Sequence, residues 1–386
     1  MPECLESAEY FALLGAAQLN SNKVAESLES LERALLLEPE NGAAQVDYAQ
    51  AQYLQGQLFT AIELNSQLLL RTDLPASLQP LLQERQESWQ GLTRQRSMQA
   101  DLLLGYDTNL NGAPDSNQIT LTLSGEPVIL PLDSEFRETE GPYLNIHLAN
   151  QFRQLAPLHQ HNFLFELRGR VSENTASDLL QIDARYAFIR PSREHSWQLT
   201  SSLSHLFFGG SSLLTATEGR AFYQLGSSFR CKPYYGLALQ HQLYHSENNL
   251  NSVESKVSAG LNCPLNGQRV SLELSALHIS ALKSDRPGGD RSGWQVNLDW
   301  RFPLAYGELI AQGNYSRLDD QDSYSSLLEN GANRWINRSY ILIQYLQPLA
   351  RNATLMINLF HQRQDSNIEL FENLNTTAEI GISLAF

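Results

Sequence analysis

From about position 97 to the carboxy terminus, apolar side chains fall on every second residue. Leu144, Ile146 and Leu148 are set against Asn145 and His147, and Phe163, Phe165 and Leu167 against Glu166, Arg168 and Arg170. Leu180, Ile182, Ala184, Tyr186 and Phe188 alternate with Gln181, Asp183 and Arg185. Trp294, Val296, Leu298, Trp300 and Phe302 alternate with Gln295, Asn297, Asp299 and Arg301. The chain closes on Ala378, Ile380, Ile382, Leu384 and Phe386, with Thr377, Glu379, Gly381 and Ser383 on the other face. A side-chain period of two describes strands with one apolar and one polar face. About fourteen such strands can be read after position 97.

Before that point the apolar period is the helical one. Residues 8–41 and 42–75 make two blocks of 34 residues, the tetratricopeptide (TPR) period, and a further helix over 76–93 would cap them. Phe11, Leu14, Gly15, Leu31, Ala34 and Pro39 stand at packing and terminal positions of the first block. Tyr48, Ala49, Gly56, Ala61 and Pro75 do so in the second. The expected fold class is α + β. TPR-like helical hairpins occupy 1–96, and an antiparallel transmembrane β-barrel of about 14 strands occupies 97–386.

A soluble β-sandwich shares the alternation, so the two faces must decide. The apolar face carries Trp197, Trp294, Trp300, Phe302, Tyr345 and Phe386 near strand ends, like an interfacial aromatic girdle. The polar face carries Glu166, Arg168, Arg170, Asp183, Arg185, Asp299 and Arg301 as candidate lumen charges. A dry sandwich core does not absorb such charges unpaired, whereas a hydrated barrel interior does. Short connections are expected near 156–161, 191–195, 230–233, 263–268, 303–307 and 348–352. Long ones are expected near 209–218, 246–252, 283–293, 319–334 and 364–373. This is the short-turn and long-loop sidedness of outer-membrane barrels, with both ends of the barrel and the helices on the periplasmic side.

Composition narrows the function classes. No apolar run reaches 18 residues, so no helical span is expected, a test that strands escape. The net charge of −15 argues against a nucleic-acid partner. Residues 1–6 show no basic n-region, apolar h-region or cleavage site. Because an outer-membrane protein must be exported, the expectation is a mature form, a fragment or a displaced start.

The most specific local motif is Gly105, Tyr106, Asp107, Asn109, Asn111 and Pro114, with short polar side chains on one strand face running into a turn. It can be an ordinary polar strand end with Asx turns; it can also serve translocation or hold a calcium-like cation. Here the chain resembles the surface lipoprotein assembly modulators. Their barrels open with a similar Gly-Tyr-Asp-x-Asn-x-Asn stretch and a loop rich in Thr, Leu and Pro, like 119–132 here. The resemblance implies periplasmic TPR hairpins, a barrel of about fourteen strands, and delivery of lipoproteins or other exported protein cargo to the cell surface. It implies a monomer in outer-membrane lipid whose helical repeats dock the client or a periplasmic chaperone.

Cys231 and Cys263 fall at two short turns that would be neighbours on the periplasmic rim, so a disulfide is expected there. Cys4 reads as a helix-packing residue. The nine histidines show no third ligand at metal-site spacing, and no Ser-His-Asp set is marked by a local motif. No enzyme activity and no cofactor are expected. The alternative functions are a TPR-barrel exopolysaccharide export porin or a general outer-membrane pore.

Overall fold

A computed structural model describes residues 7–192, 194–226 and 230–386; Cys4 and the rest of the 1–6 stretch lie outside them. The chain divides into two compact units, Met1–Gln95 with Arg153–Leu158, and Arg96–Phe152 with His159–Phe386. The first holds five helices: α1 (Ala8–Asn20), α2 (Val24–Leu37), α3 (Gly42–Leu54), α4 (Leu58–Leu69) and α5 (Gln79–Leu92). Helix α3 begins 34 residues after α1, and α4 begins 34 residues after α2. Ser7 caps α1 by accepting from the Tyr10 amide at 3.2 Å, and Asn41 caps α3 through the Ala44 amide at 3.0 Å. Phe11, Leu31, Ala34, Ala44 and Ala51 form one buried cluster. Val46, Ala49, Ala61, Leu68, Leu82 and Trp89 form a second, with Trp89 stacked on Tyr53. The small residues are needed for close helix approach: a Cβ at Gly15 would stand 2.6 Å from Leu31 Cγ.

Fourteen strands of the second part of the chain close into an antiparallel barrel. They are β1 (Arg94–Asp107), β4 (Gly141–Leu155), β5 (Gln160–Ser172), β6 (Leu179–Arg190), β7 (His195–Phe208), β8 (Ser211–Leu225) and β9 (Lys232–Tyr244). Then come β10 (Ser252–Leu265), β11 (Gln268–Ala281), β12 (Arg291–Leu304), β13 (Gly307–Ser323), β14 (Asn333–Ala350), β15 (Ala353–Ser366) and β16 (Asn373–Ala385). The last strand pairs with the first, from Gln99 opposite Ala385 to Asp107 opposite Thr377. Closure leaves no barrel edge unpaired.

The connection over 209–218 departs from expectation. Strand β8 already starts at Ser211, so β7 and β8 are joined by Gly209 and Gly210 alone. Both have positive φ, 55° and 78°, the conformation a two-residue hairpin turn requires. A register shift at Leu206/Phe207 breaks the strict alternation there, which is why the sequence pattern reads as a loop.

The connection from β1 to β4, called L1 below, contains a separate hairpin, β2 (Gln118–Leu123) and β3 (Glu126–Pro131), turning at Ser124-Gly125. In a two-residue hairpin closed by Leu123 and Glu126, the free edge of β3 presents positions 127, 129 and 131. Two of these are Pro127 and Pro131, which have no N–H to offer another strand. On the β2 edge, the Thr122 amide donates to the Leu327 carbonyl at 2.8 Å and Leu121 bridges Leu328, tying L1 to the β13–β14 connection.

Candidate functional site: the wall, the lumen and the long-loop rim

The barrel's two faces differ in chemistry. Leu102, Leu104, Leu237, Leu239, Leu274 and Ile380 point outward, with Leu237 and Leu239 60% and 61% exposed. Trp294, Trp300 and Phe302 share the outward parity of Leu298, which is 44% exposed. A continuous exposed band of this kind is costly against water and stable against hydrocarbon.

The inward face is polar and cross-linked by side chains. The Arg168 guanidinium donates to Glu166 at 2.9 Å. Glu166 also meets His147 Nε2 at 3.1 Å, and His147 Nδ1 lies 2.8 Å from Asp101. Gln181 donates to Asp183, and Gln312 donates to Asp299 at 2.9 Å. Arg185 faces inward two residues from Asp183, and Arg301 lines one hollow with Asp299 and Arg269. The expected lumen charges therefore share one face, with a correction to the grouping. Arg170 leaves the Glu166–Arg168 set and pairs with Asp107 at 3.0 Å, because it sits at the rim end of β5.

Two glycines explain how strands are stapled across their neighbours. Gly105 on β1 lies opposite Glu379 on β16, and Tyr143 of β4 crosses over it. A Cβ at Gly105 would stand 2.5 Å from Tyr143 Cζ. The Tyr143 hydroxyl donates to Glu379 at 2.8 Å, and Glu379 also accepts from Asn145 and Asn358. The arrangement recurs at Gly260 on β10, flanked by Tyr234 on β9 and Glu273 on β11. Tyr234 crosses this glycine and donates to Glu273 at 3.2 Å. Seven steps of pairing separate β1 from β10 in the fourteen-strand order, so the two staples lie on opposite walls.

The Gly105–Pro114 motif anchors L1. Tyr106 points outward. Asp107, 1% exposed, accepts from Arg170 and from the Asn109 amide at 2.8 Å. Asn109 is equally buried and binds Ala113 through both its amide group and its carbonyl oxygen. Its Nδ2 also reaches Glu138 at 3.1 Å and the Leu374 carbonyl at 3.3 Å. Asn111 donates to the Arg137 carbonyl at 2.7 Å and accepts from the Thr139 amide at 3.1 Å. Pro114 lines the rim beside them. These polar atoms are committed to the protein itself, and among the described residues no set of three His, Cys, Asp or Glu side chains gathers as a metal site. Burial, with the Asp115 and Glu140 carboxylates nearby, pushes the Glu138 carboxyl up, and the Asn109 amide partly offsets this.

At the same rim, Asp320 is fully buried between Arg291 Nε at 2.8 Å and Arg334 Nε at 2.9 Å. Arg334 is sandwiched by Tyr324 and Phe371 at 4.2 and 4.3 Å. At the opposite rim, Cys231 and Cys263 are joined, with their Cα atoms 4.2 Å apart. Sequence reading alone missed Tyr143, Tyr234, Asp101, Asp320 and Arg334. Their partners lie on distant strands, and only the glycine opposite each glutamate gives a local sign.

No protein-family model matches the chain, and no curated protein matches it. Solved structures with a similar form include an anion-selective porin from Comamonas acidovorans, 11% identical with a TM-score of 0.41, aligned over 76% of this chain and 99% of that one. The outer membrane channel DcaP of Acinetobacter baumannii is 8% identical with a TM-score of 0.41, over 76% and 98%. A bacterial polysaccharide outer membrane secretin is 11% identical with a TM-score of 0.39, over 74% and 98%.

Proposed function

We propose that this protein is an outer-membrane barrel that helps deliver lipoproteins or other exported protein clients to the cell surface. The observation that carries the reading is one chain joining stacked helical hairpins to a closed fourteen-strand barrel with an apolar outer wall and a charged inner one. The apolar band supports residence in a lipid bilayer. Strand β1 begins, and β16 ends, at the rim with the two-residue turns 266–267, 305–306 and 351–352, which supports a periplasmic place for the helices. Hairpin stacks offer extended docking surfaces for a client or a chaperone. The lumen charges of both signs, many already paired, give a wet wall without a strong preference for anions or cations.

The test is client display. The chain, supplied with an export signal, is expressed beside candidate lipoproteins, and intact cells are shaved with protease. Loss of the client to protease only when the barrel is present supports delivery. A correctly inserted barrel with every client still protected would refute delivery and leave a plain pore.

A further inference from the structure

Beneath L1 lies a cavity of about 560 Å³, within the size range of small-molecule sites. Four separate chain segments build it: Pro114, Leu132 and Phe136 of L1, Ser177 between β5 and β6, Phe208 at the end of β7, and Leu370 between β15 and β16. The lining is mostly apolar. Its L1 side is fixed in place by the buried Asn109 and Asn111 bonds, so this part of the wall is preformed.

A second observation points to an occupant. Ser177 is 1% exposed, and its hydroxyl has no hydrogen-bond partner. A buried hydroxyl left this way is a standing cost that a ligand can relieve. The charges nearby are spoken for, since Arg170 pairs with Asp107 and donates to the Leu110 and Ser177 carbonyls. An anion would find no free cation there. An extended peptide would bring several amide groups against a wall with one unpartnered hydroxyl.

We propose that the L1 cavity is a binding site for a small neutral amphipathic molecule, with an aromatic or short aliphatic body and one hydroxyl that pairs with Ser177. The body packs against Leu132, Phe136, Phe208 and Leu370, and the hydroxyl sits at the Ser177 end. This site is independent of client delivery and stands or falls without it.

The test uses the full chain in nanodiscs, titrated calorimetrically with 4-ethylphenol and with ethylbenzene, against empty nanodiscs. Saturable one-site binding of 4-ethylphenol is expected. Ser177→Ala should weaken it about fivefold, the loss of one neutral hydrogen bond, and leave ethylbenzene unchanged. Ala176→Trp, at an exposed position on the cavity lip, should remove binding of both while the thermal unfolding of the barrel stays put. No binding above empty nanodiscs would overturn the proposal. So would equal weakening of both ligands by Ser177→Ala, or full binding in Ala176→Trp.

Discussion

The two tyrosine-over-glycine staples make a prediction whose sign is informative. In an ordinary strand, Gly→Ala stabilises by roughly 0.5–1 kcal/mol, because glycine loses more backbone freedom on folding. At Gly105 the added methyl would occupy the space of the Tyr143 ring, 2.5 Å from Cζ and 2.8 Å from the hydroxyl oxygen. The ring must swing away and give up its bond to Glu379. A hydrogen bond to a charged group contributes about 1.5–3 kcal/mol, and the displaced ring loses packing as well. Gly105→Ala is therefore expected to cost about 2–4 kcal/mol, and Tyr143→Phe, which removes only the hydroxyl, about 1.5–3 kcal/mol. In the double variant the costs should fall well short of additive, because both changes break the same bond. Gly260→Ala and Tyr234→Phe form a matched pair on the opposite wall. The assay is urea unfolding of the refolded barrel in detergent, followed by tryptophan fluorescence and by the gel mobility of the folded band. Stabilisation by Gly105→Ala, or full additivity with Tyr143→Phe, would refute the staple.

Three further outcomes follow from the rim and the helices. Asn109→Ala should cost about 2–3 kcal/mol and loosen L1 at its base, read as faster proteolytic cleavage within 115–140; unchanged cleavage would mean the motif does not anchor the loop. Asp320→Asn leaves Arg291 and Arg334 buried without their shared carboxylate and should cost about 3–5 kcal/mol, measured by the same unfolding assay; a neutral result would mean water already solvates that pair. In the helical unit, burial pushes the Asp47 carboxyl up and Arg85 partly offsets it. A carboxyl raised above its unfolded value binds more protons in the folded state, so stability must fall as pH rises from the ordinary carboxylate value through the folded one. Hydrogen-exchange protection of α3 should decline across that window, and Asp47→Asn should flatten the decline; a flat wild-type profile would contradict the assignment.

The strands were legible in the sequence because lipid-facing and lumen-facing positions alternate without interruption. Trp294 to Phe302 is the clearest run, and β12 spans it. The helices were legible because their packing residues recur at a fixed spacing, as Gly15 and Leu31 show. Reading failed where local pattern and tertiary geometry diverge. The run Leu213-Leu214-Thr215-Ala216 lacks alternation, so β8 was taken for a loop until the bulge beside it supplied the reason. The Thr- and Leu-rich stretch after Pro114 forms a hairpin whose two prolines blunt its own edge. Among the candidate site residues, the motif's importance was visible but its role was not. What Asp107 and Asn109 hold is set by Arg170, Glu138 and Leu374, up to 265 positions away in sequence. The rim lock of Asp320 gave no signal because each of its residues reads as an ordinary loop charge.

The central physical claim is that one face of this sheet meets lipid and the other meets water. Spin labels on single cysteines at Leu237, Ala238, Leu239 and Gln240 of β9, in the protein reconstituted into bilayers, test it directly. Collision with oxygen should peak at 237 and 239, and collision with a water-soluble nickel chelate at 238 and 240, a period of two in opposite phase. Equal access of the chelate to all four positions would place both faces in water and contradict the account.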